Sequence, residues 1–397
     1  MVSFALSDAE RQLVKEAADF ASTVLPAART AYLKETTPHA RFLATKPFYE
    51  QAVKAGLVAG VEELSAVDPS SGLNMVANGL GLAPIITGGT PGQQQKFLAP
   101  FITKEGAPLS SLCFSEVGGS ANWLNERGDG VRTTIVRVGN EWVVNGEKQW
   151  ATSSAGWDFK GSEINCVVGR TDLGRPPKES IAVVVVTRED IERNELGAFS
   201  VVNDFETIGM LATSGPHIRY KNLRVPLGNM LGEPGEKAID IVERSFTESA
   251  ALVGAMSVGI MRHAFEVAIE FAKTQDRGGP SKIISHQSVS DLLIYIKSKL
   301  EAVSLALYFS HRLAISPGKP ATTWTLFTSE AAIEVVTKAA QVVGVSSYTT
   351  DMPFGSLLQD ALCMSIFDGG NVGVRRRQLQ KMYAEAGYDV RSTTRQL

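Results

Sequence analysis

The stretch "AIDIVERSFTESAALVGAMSVGIMRHAFEVAIEFAKTQ", residues 238–275, is the longest regular pattern in the chain. Its apolar and small residues recur at the three- and four-residue spacing of one helix face, and it contains no proline. A helix of this length needs long partners to cover its apolar face. Three further helical patterns follow over residues 288–315, 328–344 and 373–387, with short links between them. The C-terminal third therefore predicts an up-and-down four-helix bundle.

The middle third has a different composition, because short runs rich in valine, isoleucine, threonine and aromatic residues alternate with glycines and asparagines. "TTIVRVG", "EWVVNGEKQWAT" and "IAVVVVTRED" are examples. These runs predict a small antiparallel β module, a barrel or a sandwich. Asn145 and Gly146 form a strong hairpin-turn signal within it. A turn there would place Trp150 and Thr152 on one face of the following strand.

The first third is again helical. Ser7 and Glu10 have the spacing of a capping box at a helix start, and apolar residues then recur at helical spacing as far as Leu25. The predicted fold class is α+β. We expect an N-terminal α-helical domain over residues 1–107, a middle antiparallel β-barrel domain over 108–232 and a C-terminal four-helix-bundle domain over 233–397.

Composition and charge exclude several classes of protein. The chain has 397 residues and a net charge of −3, with acidic and basic residues interspersed. We therefore expect neither nucleic acid nor a membrane surface as a partner, and the chain has no apolar run of about 18 residues that would predict a membrane span. The start "MVSFALSDAERQLV" lacks a secretory pattern and the three cysteines are scattered, so we expect a cytoplasmic protein without disulfides. The five histidines show no ligand spacing, and we expect no metal site.

The segment "IFDGGNVGVRRRQ", residues 366–378, isolates one carboxylate, Asp368, between an apolar pair and two glycines. Arg375 lies two turns further on if the segment is helical, where it could stabilise the carboxylate anion and lower its pKa. Glycines beside the acid would let the backbone approach a ligand closely. The alternative is structural, because an acid near a helix start is often only a cap or a partner of the helix dipole.

Two segments of the β module could bind a cofactor. "CFSEVGGSAN", residues 113–122, leaves a strand and enters a loop of small residues, which could present backbone N–H groups to a phosphate or to a polar ring edge. A surface turn is the alternative. Trp150 and Thr152 would suit a flat heteroaromatic ring, although a tryptophan alone is more often a core residue. "GLGLAP", residues 79–84, lacks the third glycine of a dinucleotide fingerprint and lies in a helical context, so we exclude a Rossmann site.

The α–β–α order, together with "SEVGGSAN", "NGEKQWAT" and "VPLGNMLGEPG", resembles the acyl-CoA dehydrogenase superfamily over nearly the whole chain. The resemblance implies that FAD is bound between the β domain and the bundle. It implies that Leu112 to Ser115 meet the pyrimidine edge of the flavin, Ser120 to Asn122 line the phosphates, Trp150 covers the ring and Thr152 bonds N5. The implied flavin contacts are Leu112, Cys113, Phe114, Ser115, Ser120, Ala121, Asn122, Trp150, Ala151, Thr152, Ile366, Phe367, Gly369 and Gly370.

In this superfamily a neighbouring subunit completes the cofactor site. "DRGGPSKIISHQ" supplies Arg277 and Gln287 at close to the family spacing. His286, beside Gln287, is either structural or a backbone-level FAD contact. "QVVGV" matches the segment that usually holds the adenine end, here Gln341, Val342, Val343, Gly344 and Val345. A shared site implies an oligomer, and the resemblance implies a homotetramer.

The closest resemblance is to the nitroalkane oxidases within that superfamily. "FDGGN" followed by "RRRQ", together with "SAALVGAM", "SANWL" and "TSGPH", carries it. It implies that Asp368 removes a proton from the α-carbon of a nitroalkane, with Arg375 beside it and Ser249 hydrogen-bonded to it. The carbanion would add to flavin N5, nitrite would leave and water would release an aldehyde or ketone. Reduced FAD would then pass its electrons to O2 and give H2O2.

Two other functions of the same fold remain open from the sequence: an acyl-CoA dehydrogenase and a flavin-dependent monooxygenase. The intact pair of Asp368 and Arg375 counts against the second. A flavin-free scaffold protein is a third alternative. Two departures from the family also stand out. "AGLVAG" and "VEELSAVDPSSG" are joined directly, without the usual loop and helix between them, and Cys363 to Ser365 replace a more aromatic segment.

Overall fold

A computed structural model describes residues 6–57, 60–128, 130–313 and 320–389, without the side chains of 308–323. The direct junction between "AGLVAG" and "VEELSAVDPSSG" includes residues 58 and 59 and so lies partly outside the described residues. The helices are α1 Asp8–Tyr32, α2 Pro38–Ala44, α3 Lys46–Ala55, α4 Val61–Val67, α5 Pro69–Gly88, α6 Pro91–Ile102, α7 Pro177–Ser180, α8 Arg188–Arg193, α9 Glu236–Thr274, α10 Gln287–Leu313, α11 Pro320–Val343, α12 Phe354–Met364 and α13 Arg376–Tyr383. The strands are β1 Ser110–Cys113, β2 Thr134–Val138, β3 Glu141–Gln149, β4 Ile164–Arg170, β5 Ile181–Thr187, β6 Phe199–Asn203, β7 His217–Pro226 and β8 Met230–Leu231.

The N-terminal helices form as their end signals predict. Ser7 Oγ accepts the N–H of Glu10, and the Glu10 carboxylate accepts the N–H of Ser7, so the predicted capping box is confirmed. The buried face of α1, including Phe20 and Leu25, joins the same apolar core as α9. The N-terminal helices and the C-terminal bundle therefore share one core rather than forming separate ones.

The strands form one sheet with the order β6-β7-β3-β2-β4-β5-β8, and β1 pairs with β4. Five of the strand pairings are antiparallel, whereas β1–β4 and β2–β4 are parallel. One face of the sheet packs on α5 and α9 through residues such as Ile85 and Ile241, and the other face has its own core around Tyr220. Gly81 of α5 allows this contact, because a Cβ there would lie 2.5 Å from the backbone of Ser110.

The hairpin turn predicted at Asn145 and Gly146 is wrong. Both residues lie inside β3, and the chain turns instead at Gly139 and Asn140. The pairing of β3 with β7 shifts register between Val144 and Gly146, so this asparagine–glycine pair marks a bulge within a long strand. The sequence signal at these two residues therefore corresponds to a local irregularity of the strand. The chain does not turn there, because β3 stays paired with β7 on both sides of it.

The C-terminal helices pack around α9, which contacts α10, α11 and α12. The last predicted helix, over residues 373–387, is observed as the shorter α13. It is preceded by α12, which no sequence pattern predicted, and Asp368 lies between the two. The length and hydropathy of α9 would allow it to cross a membrane, a test that core helices of soluble proteins also pass, and 56% of its most apolar window is buried. The first three predicted bundle helices are therefore observed as α9, α10 and α11, and Asp368 lies in the segment that joins α12 to α13.

The predicted boundary at 107/108 falls between the end of α6 at Ile102 and the start of β1 at Ser110. The boundary at 232/233 falls between β8 and α9. The division into three domains stays a prediction, since α1 and α9 share a core.

Candidate active site

A cavity of about 650 Å³ lies between the sheet, α5, α9 and the segment that joins α12 to α13. Its walls are mostly apolar, with Leu80 from α5, Leu252 from α9 and Phe114 from the end of β1 among them. Among the described residues that line it, only Asp368 and Glu243 carry a formal charge. An apolar cavity with a few converging polar groups is the usual form of a small-molecule site.

Asp368 is held by a hydroxyl and a guanidinium. Ser249 Oγ lies 2.9 Å from Oδ1 and 3.0 Å from Oδ2 of Asp368, and the Arg375 guanidinium lies 3.5 Å from Oδ2. The side chains of Asp368 and Arg375 are 6% and 3% exposed, so water screens their attraction very little. The carboxylate therefore has a fixed orientation at the cavity wall.

The pKa of Asp368 is raised, and burial is the main cause. Arg375 and the hydrogen bond from Ser249 act in the opposite direction and lower this pKa, but they do not outweigh the loss of hydration. Arg375 thus lowers the pKa of Asp368 as predicted, although burial makes the net shift upward. A carboxylate with a raised pKa is a stronger base than one in water.

Arg375 does more than face the acid. Its guanidinium donates to Asn371 Oδ1 at 2.9 Å and to the backbone carbonyl of Asp368 at 3.2 Å. These bonds lie in a π-helical turn over Gly370–Arg375, so the first residues of the helix predicted over 373–387 belong to this turn and the regular helix begins at Arg376. π-Helical turns are rare and often occur at functional sites.

The backbone at the acid is strained. Asp368, Gly369 and Gly370 have φ angles of 54°, 83° and 65°, all in the left-handed region. Glycine adopts this region freely, but a residue with a side chain does so at a cost. A Cβ on Gly369 would also lie 3.2 Å from Val374. The two glycines therefore serve the turn that presents Asp368 to the cavity.

Trp150 and Thr152 both line the cavity, but not from a strand face as predicted. β3 ends at Gln149, and Trp150 has a φ of 66°. The indole packs against Phe205 with the ring centroids 4.3 Å apart and the rings tilted by 30°, and it remains 54% exposed. A largely uncovered indole at a cavity wall favours the cofactor interpretation over the core alternative.

The small-residue loop after β1 is anchored from behind by a buried ion pair. Lys148 Nζ lies 2.7 Å from Glu116 Oε1 and donates to the carbonyl of Phe114 at 3.0 Å. Glu116 also accepts the N–H groups of Arg132 and Thr133. Burial acts to raise the pKa of Glu116, but Lys148 and these donors outweigh it and hold the pKa below its ordinary value. These contacts hold the loop in place through Glu116 and the carbonyl of Phe114, and they leave the residues that face the cavity free to contact a ligand.

Most of the flavin contacts implied by the resemblance meet at this cavity. Those that line it are Leu112, Phe114, Ser115, Ser120, Ala121, Trp150, Ala151, Thr152, Ile366, Phe367 and Gly369, together with Asp368 and Ser249. Three implied residues do not line it. Cys113 is fully buried in the core on the other face of the sheet, Asn122 lines a neighbouring cavity of about 440 Å³, and Gly370 is buried in the π-helical turn.

The residues implied for a neighbouring subunit lie elsewhere in the C-terminal domain. Arg277 donates to the carbonyl of Val343 at 2.8 Å and to Ser346 Oγ at 3.0 Å, so the structure brings the "DRGG" and "QVVGV" segments together. His286 and Gln287 are exposed at the start of α10. Neither this group nor Gln341 to Val345 lines the main cavity. The side chains of Val342 and Val343 are buried in the core, so only their backbone groups could contact a cofactor.

Sequence reasoning missed several residues at the site. Leu73, Val76 and Leu80 of α5 line the cavity, as do Ile208 and Met210 from the loop after β6. Their signal was only apolar periodicity, which does not distinguish a cavity wall from a core. Arg377 is a further residue of this kind, because it donates to the carbonyl of Ala121 at 2.8 Å and to Asn122 Oδ1 at 2.7 Å. It therefore ties α13 to the small-residue loop.

The cysteines behave as the sequence predicted. All three are free thiols. Cys363 lines the cavity, and burial raises its pKa to about 11. It remains a protonated thiol at neutral pH, which excludes it as a thiolate nucleophile.

Comparison with known proteins places the fold and the site in a family. Residues 239–383 match the model of the acyl-CoA dehydrogenase C-terminal domain. Over 426 aligned positions the chain is 42% identical to the nitroalkane oxidase of Fusarium oxysporum, with 98% of this chain and 96% of the relative covered. The chain belongs to the nitroalkane oxidase family. The resemblance proposed from the motifs is thereby confirmed, as is the acyl-CoA dehydrogenase-like fold.

Solved structures agree with this assignment. A crystal structure of nitroalkane oxidase in complex with spermine, a competitive inhibitor, superposes with a TM-score of 0.96 at 41% identity over 99% of both chains. A second structure, of a nitroalkane oxidase described as a flavoprotein, also has a TM-score of 0.96 at 41% identity, covering 99% of this chain and 100% of that one. The family is thus one of flavin-dependent oxidoreductases.

Proposed function

We propose that this protein is an FAD-dependent nitroalkane oxidase. It converts a nitroalkane, O2 and water to an aldehyde or ketone, nitrite and H2O2. The observation that carries the proposal is the buried Asp368 carboxylate, which Ser249 and Arg375 hold at the wall of an apolar cavity. The family membership makes the nitroalkane the favoured substrate.

The residues present fit a flavin. The exposed indole of Trp150, the hydroxyl of Thr152 and the backbone from Leu112 to Ser115 surround one part of the cavity and offer a stacking face and polar groups. Ser120 and Ala121 extend this wall towards Asn122, where a phosphate chain would run. When bound, FAD would accept the electrons of the substrate and pass them to O2. We infer that these residues hold it against the side of the cavity opposite Asp368.

Proton abstraction is the step that this chain's own residues perform. The α-carbon of a nitroalkane is acidic, because the nitro group delocalises the resulting anion. Asp368 takes this proton on a carboxylate oxygen, and its raised pKa strengthens the base. The buried charge of Arg375 favours the ionised form of the carboxylate and would stabilise an anion that develops beside it. The apolar walls hold the alkyl chain and exclude water.

The lining of the cavity favours this function over an acyl-CoA dehydrogenase. Coenzyme A carries several phosphates, which proteins usually bind with Arg, Lys or helix N-termini. Among the described residues that line the cavity there is no basic side chain. A small neutral nitroalkane needs none.

We further propose a homotetramer in the cytoplasm. Arg277 and the segment Gln341 to Val345 lie together but away from the main cavity of their own chain. This placement suits residues that serve the cofactor of a neighbouring subunit. The free thiols agree with a reducing compartment.

Oxygen uptake and nitrite release test the function. Purified FAD-loaded protein with 1-nitrohexane should consume O2 and release nitrite in equal amounts. An intact flavin without nitrite would contradict the proposal. In that case, bleaching of the flavin by an acyl-CoA would support the dehydrogenase instead.

Asp368→Asn tests the base. With a neutral nitroalkane, kcat/KM should fall by about a hundredfold or more, the usual contribution of a positioned general base. With the pre-formed nitronate, which needs no deprotonation, the loss should stay within about tenfold, and FAD content should be unchanged. Equal losses on both substrates would rule out Asp368 as the proton acceptor.

A further inference from the structure

The mouth of the main cavity carries an acidic side chain that the proposed reaction does not use. Glu243 lines the cavity, yet its side chain is exposed, so it lies at the rim where the cavity opens to solvent. Ser249, which holds the buried Asp368, lies six residues further along the same helix. This separation corresponds to about 9 Å along the helix axis. One wall of the cavity thus has a carboxylate at its base and another at its rim.

The two carboxylates differ in their partners. Asp368 faces the guanidinium of Arg375 at 3.5 Å. Glu243 makes no ion pair within 4 Å in the part of the chain that the structure describes. Partial burial is the main cause of a raised pKa at Glu243. Of its charged neighbours, Lys381 lowers this pKa and Asp240 raises it. Asp240 is itself paired with Arg244 at 3.6 Å. The rim carboxylate therefore remains available to a cation that enters the cavity.

We propose that Glu243 makes the cavity select nitroalkanes by the charge at the end distant from the nitro group. The proposal rests on the nitroalkane oxidase function and names its substrate class: neutral nitroalkanes and those with a distal ammonium group. A distal ammonium gains the Glu243 carboxylate as its partner. A distal carboxylate is repelled by Glu243 at the rim. It would also lose water on entering the cavity, and the described lining residues include no basic side chain that could pair with it.

Three substrates of equal chain length test this selection: 1-nitrohexane, 6-nitrohexan-1-amine and 6-nitrohexanoate. In the FAD-loaded wild-type enzyme we expect the lowest KM for the amine and the highest for the carboxylate. Glu243→Gln should raise the KM for the amine and lower that for the carboxylate by about two- to fivefold each, as for a partly exposed ion pair. The neutral substrate should keep its wild-type KM, and kcat should stay the same for all three. The shifts should shrink as ionic strength rises.

Asp240→Asn is the matched control. Asp240 carries the same charge as Glu243 and lies about one helical turn before it, but it does not line the cavity. Equal shifts of KM in both variants would show that the net charge of the region matters rather than contact with Glu243. That result would overturn the assignment to Glu243. A wild-type enzyme that treats the amine and the carboxylate alike would also overturn it.

Binding without turnover separates this proposal from the function on which it rests. Hexan-1-amine and hexanoate bind or fail to bind irrespective of any reaction, and calorimetry measures both. Tighter binding of the amine, lost in Glu243→Gln, supports charge selection even if no nitroalkane is oxidised. Equal binding of both probes contradicts it even if 1-nitrohexane is a good substrate.

Discussion

At the scale of single residues, Asp368 shows how several small constraints produce one reactive group. Burial raises its pKa, and the attraction of Arg375 and the hydrogen bond from Ser249 limit the rise. Each of these effects comes from a different part of the chain, because Ser249 belongs to α9 and Arg375 to the π-helical turn. The reactivity of the acid is therefore a property of the packing.

Ser249→Ala should shift the pH dependence of catalysis. The hydroxyl lowers the pKa of Asp368, so its removal should raise that pKa further. Asp368 must be ionised to accept a proton, and kcat/KM rises with pH through its pKa. The acidic limb of the profile should therefore move to higher pH in the variant. The measurement is kcat/KM for a neutral nitroalkane from pH 5 to 9.

Ser257→Ala is the matched control for this change. Ser257 is a buried hydroxyl on the same helix that bonds only to the carbonyl of Val253 in the contacts described. Its removal should leave the profile in place. An unshifted profile in Ser249→Ala would show that the hydroxyl does not tune the acid.

At the scale of elements, β3 and the loop after β1 form one unit. Lys148 projects from β3 into the protein and pairs with Glu116 of the loop, and neither group is appreciably exposed. Trp150 directly follows the end of the same strand, and its left-handed backbone turns the indole towards the cavity. The strand therefore carries both the anchor of the loop and the aromatic wall of the site.

Lys148→Met should destabilise the protein strongly. The substitution leaves the Glu116 carboxylate buried without its cation, a change that costs about 3–5 kcal/mol in comparable buried pairs. The midpoint of urea unfolding should fall accordingly, and adding Glu116→Gln should recover part of the loss. Lys221→Met, on the exposed side of β7, should change the midpoint little. A small change of the unfolding midpoint in Lys148→Met would mean that the ion pair between Lys148 and Glu116 contributes little to the stability of the protein.

At the scale of the whole molecule, a buried polar network joins the three parts of the chain. Asp360 of α12 accepts the N–H of Met210 at 2.7 Å. Nearby, Arg29 of α1 donates to Ser356 Oγ of α12 at 3.0 Å and faces Asp68 at 3.3 Å. Residues from the N-terminal helices, the β domain loop and the bundle thus meet behind the cavity, and Met210 is also part of its wall.

This network predicts a dependence of stability on pH. Burial raises the pKa of Asp360 from 3.8 to about 6. The folded protein therefore binds a proton between about pH 4 and 6 that the unfolded chain releases, and stability is lost as pH rises through this window. The shift corresponds to about 3 kcal/mol. Asp360→Asn should make the loss of stability with rising pH smaller. The asparagine side chain is uncharged at every pH, and its amide oxygen can still accept the N–H of Met210.

Urea unfolding at several pH values from 4 to 8 measures this effect. Asp351→Asn, at an exposed site, should keep the wild-type slope. An unchanged slope in Asp360→Asn would assign the pH dependence to other groups.

The sequence by itself determined much of this protein. Helical periodicity, strand-rich composition and their order along the chain predicted the α–β–α fold, because a segment's own pattern decides which element it can form. The motifs that contain Asp368, Arg375 and Ser249 predicted the family, and they also gave Asp368 as the candidate base.

Tertiary structure decided what depends on neighbours. The asparagine–glycine pair at 145–146 became a bulge because β7 pairs along β3. The segment before α13 became a π-helical turn, in which Arg375 bonds to the backbone carbonyl of Asp368. The net rise in the pKa of Asp368, the position of Glu243 at the rim and the link from Arg377 to the loop likewise follow only from packing. Burial, distance and screening arise between segments that lie far apart in the chain, so no local pattern encodes them.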